Sequence, residues 1–294
     1  MESKSWTIVK TTANGFSQDQ VVTFAAALAY YAIFSIAPIL VIIVGVVGIV
    51  FHGPAARQQV TQQLQGVLGQ KSTDIIESMM SSQTRHGSVI ATIIGVVVLL
   101  LGASGVFGQL KSSLNSIWHV RQKSGRGILG LILDRLLSVL MVFVIGVLLL
   151  ASMLLTTAIS AFYDALSRVI AVPGFVLRLG DLVATLAVLT LLFALIFKVL
   201  PDVRIRWRDV WIGAAVTAML FLAGEYLLGL YLGRAGATSS YGAAGSVVAI
   251  LMWIYYSSII LFLGAEFTLA YACRAGACIQ PGKYAEPLEG AAAA

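Results

Sequence analysis

The stretch Thr238–Tyr271, TSSYGAAGSVVAILMWIYYSSIILFLGAEFTLAY, decides the fold of this chain. From Ala243 onward it is apolar for more than the roughly 20 residues that a helix needs to cross a bilayer. Since a run of this length and composition is typical of a membrane-spanning helix, the stretch predicts a transmembrane segment near the end of the chain.

The two faces of this predicted helix differ from those of a helix that is surrounded by lipid. At 100° per residue, Gly242, Trp253 and Gly264 fall on one side, whereas Tyr255 and Glu266 fall on the other. Small residues let a second helix approach closely, and a carboxyl group at membrane depth needs a partner or a polar cavity. We therefore expect this helix to lie inside a bundle.

The composition of the chain is that of a membrane protein. Of the 294 residues, 59% are hydrophobic and only 11% are charged, whereas soluble domains carry about 25% charged residues. The fold class is therefore all-α, a polytopic helix bundle. Cys273 and Cys278 have no histidine nearby, so we expect reduced thiols and no metal site. No cofactor is expected.

The hydrophobic pattern divides the chain into six spans within a membrane domain of residues 24–272. Residues 1–23 are predicted to form a cytoplasmic segment with an interfacial helix, and residues 273–294 a flexible cytoplasmic tail. Residues 52–87 are predicted to be a helical loop outside the cytoplasm. The spans are expected at about residues 24–51, 88–108, 136–163, 182–200, 210–232 and 243–271.

Local signals predict where some of these helices begin or bend. Ser17 and Gln20 match a capping box, which predicts a helix start there. Asp181 is placed to cap the fourth span. Pro38 interrupts the first span and predicts a kink, with Ser35 available to bond a freed carbonyl group.

The distribution of basic residues predicts the orientation. Six spans place both termini on one side of the membrane, and thirteen of the 19 Lys and Arg residues fall on that side. Because cytoplasmic loops carry the excess of Lys and Arg, both termini are expected in the cytoplasm.

Four stretches resemble a known family. They are FAAALAYYAIFSIAPIL (24–40), LGASGVFGQLKSSLNSIW (101–118), DVRIRWRDVWIGA (202–214) and YGAAGSVVAILMWIYYSSIILFLGAEF (241–267). In this order they are similar to the signature regions of the YihY/virulence factor BrkB family, whose older label is ribonuclease BN. The resemblance implies a six-helix protein of the bacterial cytoplasmic (inner) membrane, and no catalytic residue set comes with it.

The residues themselves argue against a nuclease or another enzyme. Hydrolysis of RNA needs paired metal ligands or a general acid and base held together. His52, His86 and His119 lack the spacing of metal ligands. Since the basic residues also have a topological explanation, we expect neither enzymatic activity nor nucleic-acid binding.

Two carboxyl groups carry the functional hypothesis. Glu225 and Glu266 both lie within predicted spans, where a charge costs about 2.5–3.5 kcal/mol on insertion scales. They would line a pathway together with Tyr255, Ser35 and Pro38, serve as structural groups that fix helix register, or extend to the membrane interface. A direct pairing of Glu225 with Glu266 is not expected, because their depths differ by several helical turns.

The remaining candidates concern packing and lipids. Close helix packing is predicted at Gly102, Gly105, Gly108, Gly242, Gly245, Trp253 and Gly264. For the glycines, a helix break beside a pathway is the alternative. Contact with anionic lipid headgroups or with a phosphorylated substrate is the alternative to a purely topological role for Arg204, Arg206 and Arg208. Membrane lipids, an unknown solute and further copies of the chain are therefore the expected partners.

Two functions follow from these observations. The first is translocation of a solute or lipid-like molecule across the membrane, with the carboxyl groups on its path. The alternative is a non-transporting envelope protein, associated with virulence in the family that the chain resembles, whose bundle organises other proteins.

Overall fold

The structure is a computed structural model. It describes residues 4–50, 105–123, 174–235, 245–274, 276 and 278–288, together with scattered positions between 130 and 158. The predicted loop at residues 52–87 and most of the second and third predicted spans lie outside the described residues.

Two helices begin the chain. Helix α1 runs over Lys4–Gln18, and helix α2 runs over Val21–Val50. Asp19 and Gln20 form the turn between them, and Gln20 has a positive φ of 53°. The capping-box prediction is therefore wrong, because Ser17 lies in the last turn of α1 and the new helix begins after Gln20.

Helix α3 and the first strand follow after the undescribed stretch. Residues 105–117 are helical (α3), and strand β1 covers Val120–Gln122. His119, between α3 and β1, has a positive φ of 55°. The described positions between 130 and 158 are helical.

Three long helices form the second half of the described chain. They are α4 at Gly174–Val199, α5 at Trp207–Ala235 and α6 at Gly245–Arg274. Each contains a segment long and apolar enough to cross a membrane, at Leu179–Val199, Trp207–Leu230 and Val247–Arg274. The predicted N-cap role of Asp181 is wrong, because α4 begins earlier and Asp181 lies inside it.

Two small antiparallel sheets tie the end of the chain to earlier segments. Strand β2 (Val203–Arg204) pairs with β3 (Gln280–Pro281), and β1 pairs with β4 (Ala285–Pro287). The prediction of a flexible tail is therefore wrong for residues 280–287. The prediction of reduced thiols is also wrong, since Cys273 and Cys278 form a disulfide.

The chain divides into two compact units. The first contains Met1–Ala25, Leu110–Leu227 and Tyr256–Ala294, and the second contains Ala26–Gln109 and Leu228–Tyr255. Aromatic rings contribute to the core of the first unit: those of Trp118 and Phe197 meet edge to face at 6.1 Å. Such packing contributes about 0.5–1.5 kcal/mol beyond the buried area.

Candidate functional site

Glu266 is a buried carboxyl group in the first unit. It lies in α6 and is only 3% exposed, and within the described residues its Oε1 atom has no hydrogen-bond donor. A buried polar atom without a partner costs about 1–3 kcal/mol, and more when it is charged. A carboxyl group with a buried, unpartnered oxygen is therefore stabilised by binding a ligand or a proton.

Helix α1 supplies the surface against which Glu266 packs. The Oε2 atom of Glu266 lies so close to Gly15 that a Cβ atom there would overlap with it. The Asp19 amide donates to the Gly15 carbonyl at 2.8 Å. Since residues four apart share one face of a helical turn, Asp19 lies on the same side as Gly15.

Asp19 and Glu266 form a carboxyl pair. Their side chains lie within hydrogen-bonding distance, and their charges repel when both are ionised. An ionised carboxylate only accepts hydrogen bonds, whereas a protonated carboxyl group also donates one. With both groups ionised, Oε1 of Glu266 lacks a donor; with one proton between them, the pair is joined by a hydrogen bond.

His119 lies on the other side of Asp19. Its Nε2 atom is 3.3 Å from Asp19 Oδ1, and its side chain is 44% exposed whereas that of Asp19 is 17% exposed. The tail of the chain holds the backbone here, because the Leu288 amide donates to the His119 carbonyl at 2.9 Å. His119, Asp19 and Glu266 thus form a row from the surface into the protein.

The neighbouring indole fixes the geometry of this row. Trp118 is 2% exposed, and its Nε1 atom donates to the carbonyl oxygen of Ala265 at 3.0 Å. This bond joins the residue before His119 to the residue before Glu266. A buried indole N–H normally finds an acceptor, so the bond sets the register between the end of α3 and α6.

A seam of reciprocal contacts joins α5 to α6. Thr217 packs on Gly264 and Thr268 packs on Gly213, so that each helix presents a glycine to a threonine of the other. Each threonine hydroxyl donates to the carbonyl of the glycine four residues earlier in its own helix, at 2.7 Å. The absence of a Cβ lets the two backbones approach closely.

Asp202 is the centre of a second polar cluster, half-buried between α4 and α5. Its carboxylate accepts hydrogen bonds from Asn115 at 3.1 Å and Gln122 at 2.9 Å, and lies 3.0 Å from Lys111 Nζ. Burial alone would raise the pKa of Asp202, but the hydrogen bonds from Gln122, Lys111 and Asn115 and the charge of Lys111 hold it below its ordinary value. This centre fastens α3 to the α4–α5 connection, and the Gly282 amide joins it through the Asp202 carbonyl.

The residues of the predicted pathway differ in burial. Glu225 is exposed on α5, Tyr255 is half-buried in α6, and Ser35 is buried and donates to the Tyr31 carbonyl at 3.1 Å. Pro38 lies within α2, which is continuous from Val21 to Val50. Glu266 is thus the predicted carboxyl group that the protein buries.

The predicted packing glycines have different surroundings. Gly264 packs against Thr217, and a Cβ at Gly105 would lie 3.2 Å from the Tyr31 ring. Gly108 is exposed, and no described atom lies within 4 Å of a Cβ there. Trp253 is half-buried, Gly245 begins α6, and Gly102 and Gly242 lie outside the described residues.

The arginines of the predicted lipid contact lie at the surface. Arg204, Arg206 and Arg208 are all exposed. Arg206 Nε donates to Asp209 Oδ2 at 2.9 Å, and Asp209 is 1% exposed. Arg206 therefore also neutralises a buried carboxylate at the start of α5.

Sequence reasoning missed three residues of the site. Gly15, Asp19 and His119 come from the α1 end and the α3–β1 turn, far from Glu266 in the chain. Asp19 lies between Ser17 and Gln20 of the predicted capping box, and His119 lacks the spacing of a metal ligand, so neither residue stands out in the sequence. Among the described residues, no group of three His, Cys, Asp or Glu side chains is arranged to hold a metal ion.

Three described helices that are long and apolar enough to cross a membrane indicate a multi-pass helical membrane protein. A family model described as Virulence factor BrkB matches residues 12–289. The chain belongs to this family, as the resemblance of its four motifs predicted.

Bacterial membrane proteins are among its relatives. A UPF0761 membrane protein of Pseudomonas aeruginosa strain LESB58 is 30% identical over 258 residues, which cover 86% of this chain and 60% of the relative. A UPF0761 membrane protein of Azotobacter vinelandii is 30% identical over 269 residues, which cover 85% of this chain and 60% of the relative. A UPF0761 membrane protein of Tolumonas auensis is 27% identical over 251 residues, which cover 85% of this chain and 80% of the relative. The chain spans about 60% of the Pseudomonas and Azotobacter relatives, and no solved structure matches it.

Proposed function

We propose that this protein is a translocator of a solute or lipid-like molecule in the bacterial cytoplasmic membrane, with six spans and both termini in the cytoplasm. The charge bias of the sequence supports this orientation. Helices α4, α5 and α6 supply three candidate spans, and α2 covers most of the first predicted span. The second and third spans, at about residues 88–108 and 136–163, are proposed from the hydrophobic pattern of the sequence.

Glu266 carries the proposal. An ionisable side chain in a membrane helix is expensive, and such groups are usually found on substrate or ion pathways. Glu266 is 3% exposed and Oε1 has no donor among the described residues, so its charge is not simply neutralised by a basic neighbour there. We expect Glu266 to change its protonation or its partner as the substrate passes.

The surface around the start of α5 supports a lipid-like substrate or a lipid environment. Arg204 and Arg208 are exposed next to Trp207 and Trp211, whose side chains are also exposed. Arginine binds phosphate groups in a bidentate manner, and tryptophan is enriched at membrane interfaces. This combination suits the headgroup layer of an anionic leaflet.

The test is flux in proteoliposomes that contain the purified full chain. One arm measures movement of a fluorescent phospholipid between leaflets by its accessibility to dithionite. The other arm measures uptake of a panel of labelled small solutes. We expect the wild-type protein to move either the phospholipid or one of the solutes. Glu266→Gln should lose most of that flux, because the amide cannot ionise.

The control is Glu286→Gln, which removes an exposed carboxylate that pairs with Arg121 at 2.8 Å. This variant should keep the wild-type flux. Equal flux in Glu266→Gln and wild type, at equal amounts of folded protein, would contradict the proposed role of Glu266.

A non-transporting envelope protein is the second candidate, and the α5–α6 seam favours it. Gly213, Thr217, Gly264 and Thr268 are all buried and fit one another closely. Such a seam suits two helices that stay together as a scaffold. On this account the wild-type protein shows no flux in either arm, and Glu266→Gln changes only the stability.

A further inference from the structure

We propose that Asp19 and Glu266 together form a proton-binding site, in which one proton is shared between the two carboxyl groups and exchanges with the cytoplasm through His119. The ligand is thus a proton. This inference goes beyond the proposed function, because proton binding can be measured whether or not the protein moves a substrate.

Three features of the site point to a bound proton. Glu266 is buried with its Oε1 atom unpartnered among the described residues. A second carboxyl group, that of Asp19, lies within hydrogen-bonding distance of it. Two ionised carboxylates repel each other, so a shared proton is the simplest way to remove the repulsion and to give one oxygen a donor.

The backbone of α1 at Gly15 bounds the site on one side. Gly15 has no side chain, and a Cβ atom there would occupy the space of Glu266 Oε2. The carboxyl group therefore lies directly against the helix backbone. A metal ion with several ligands is not suggested here, since the described residues provide no group of three ligating side chains.

His119 gives the site a route to water. Its Nε2 atom is 3.3 Å from Asp19 Oδ1, and nearly half of its side chain is exposed. An imidazole can accept a proton at one ring nitrogen and release one from the other. His119 can therefore pass a proton to Asp19, which in turn faces Glu266.

The charged groups around Glu266 come from more than one element. Asp19, from the turn between α1 and α2, acts on it directly, and His119, after α3, stands behind Asp19. Trp118 donates to the neighbouring Ala265 carbonyl and carries no charge. Within the described residues, the extent of protonation of Glu266 is thus expected to depend on Asp19, and the rate of its proton exchange on His119.

Carbodiimide labelling tests this inference on the purified full chain in lipid nanodiscs. Dicyclohexylcarbodiimide adds to a protonated carboxyl group in an apolar site and leaves a stable N-acylurea, which peptide mass spectrometry locates. We expect Glu266 of the wild type to be labelled at pH about 7, where an ordinary glutamate with a pKa of about 4.3 is ionised. Glu266→Gln should lose this label, whereas Glu286→Gln should keep the label on Glu266.

The partner variants separate the roles within the row. Asp19→Asn removes the repelling charge, so labelling of Glu266 at pH about 8 should fall several-fold. His119→Phe should leave the final extent of labelling unchanged but slow proton exchange after a pH jump, followed by the infrared band of the protonated carboxyl group. A purely structural role for His119 would not change this rate.

Three results would overturn the inference. The first is absence of label on Glu266 together with absence of a protonated-carboxyl infrared band at neutral pH. The second is labelling that does not respond to Asp19→Asn. The third is protection of Glu266 by sodium ions at constant pH, which would assign the site to a metal cation. Labelling without flux would leave the proton site intact and reject only the proposed translocation.

Discussion

The Oε2 atom of Glu266 lies against the backbone of Gly15, in the space that a side chain at residue 15 would fill. This contact joins α1, at the beginning of the chain, to the part of α6 near its end. Asp19, in the turn that follows α1, donates its amide to the Gly15 carbonyl and completes the carboxyl pair. The position of α1 therefore decides what surrounds Glu266.

Gly15→Ala is expected to disturb both the fold and the site. A methyl group there overlaps with the Glu266 carboxyl group, and overpacking of this kind costs about 1–3 kcal/mol. Unfolding in mixed micelles with increasing SDS measures the loss. The control is Asn14→Ala, at an exposed neighbouring position in the same helix, which should change the unfolding free energy by no more than about 0.5 kcal/mol. Equal behaviour of the two variants would contradict the contact.

The seam between α5 and α6 predicts a position-specific effect of glycine replacement. Gly213→Ala should destabilise the protein by about 1–3 kcal/mol, because the new methyl group meets the short and branched side chain of Thr268. Gly229→Ala is the matched control in the same helix, where no described atom lies within 4 Å of the new carbon. It should be neutral or more stable by about 0.5–1 kcal/mol.

A second variant separates the contact from other causes. Thr268→Ala combined with Gly213→Ala removes the atoms that the new methyl group meets, so the double variant should recover part of the lost stability. The measurement is the coupling energy from the four unfolding curves. Additive effects, with no recovery, would show that the two residues do not touch.

The carboxylate of Asp202 predicts an acid-dependent loss of stability. Its folded pKa lies below the ordinary value of 3.8, so the unfolded chain binds its proton more readily. The stabilisation is therefore complete above the unfolded pKa of about 3.9 and is lost as the pH falls through the lower folded value. Unfolding free energies measured from pH about 6 down to about 2.5 should show this loss.

Asp202→Asn is the control for this pH dependence. The variant cannot titrate, so its difference from the wild type should be largest near pH about 6 and should shrink as the acid protonates the wild-type carboxylate. At pH about 6 we expect a loss on the order of 3 kcal/mol, because Lys111, which is 7% exposed, loses this carboxylate. A difference that stays constant with pH would contradict the ion pair.

Trp118→Phe isolates a single hydrogen bond. The variant keeps an aromatic ring against Phe197 but removes the Nε1 donor to the Ala265 carbonyl. We expect a loss of about 1–2 kcal/mol, of which most reflects the bond and the rest the smaller ring. The conservative control is Trp207→Phe, at an exposed indole, and a similar loss there would show that the effect is not specific to the buried bond.

The large elements could be predicted from sequence because they depend on local composition. A run of apolar residues long enough to cross a bilayer is visible without any partner, so the helices around Lys198, Val210 and Glu266 lie close to where the pattern places them. Helix ends are harder to predict, because a residue with the chemistry of a cap can also lie inside a helix. Asp181 resembles a cap but lies inside α4, and Gln20 rather than Ser17 ends the turn before α2.

The carboxyl pair could not be predicted because its members are far apart in the chain. Glu266 stood out as a charge in an apolar helix, but nothing in the sequence indicates that Asp19 lies beside it. Glu225 carries the same local signal and is exposed, so the pattern alone does not distinguish a buried carboxyl group from one at the surface. The ordering of residues 280–287 likewise depends on strand partners at Val120–Gln122 and Val203–Arg204.

Flux through the reconstituted protein, compared between Glu266→Gln and Glu225→Gln in the same vesicles, tests the central claim most directly. The buried position of Glu266 predicts that Glu266→Gln loses most of the flux and that Glu225→Gln loses less, with both variants folded to the wild-type extent. Full flux in Glu266→Gln, or an equal loss in the two variants, would contradict the assignment of the buried carboxyl group to the translocation path.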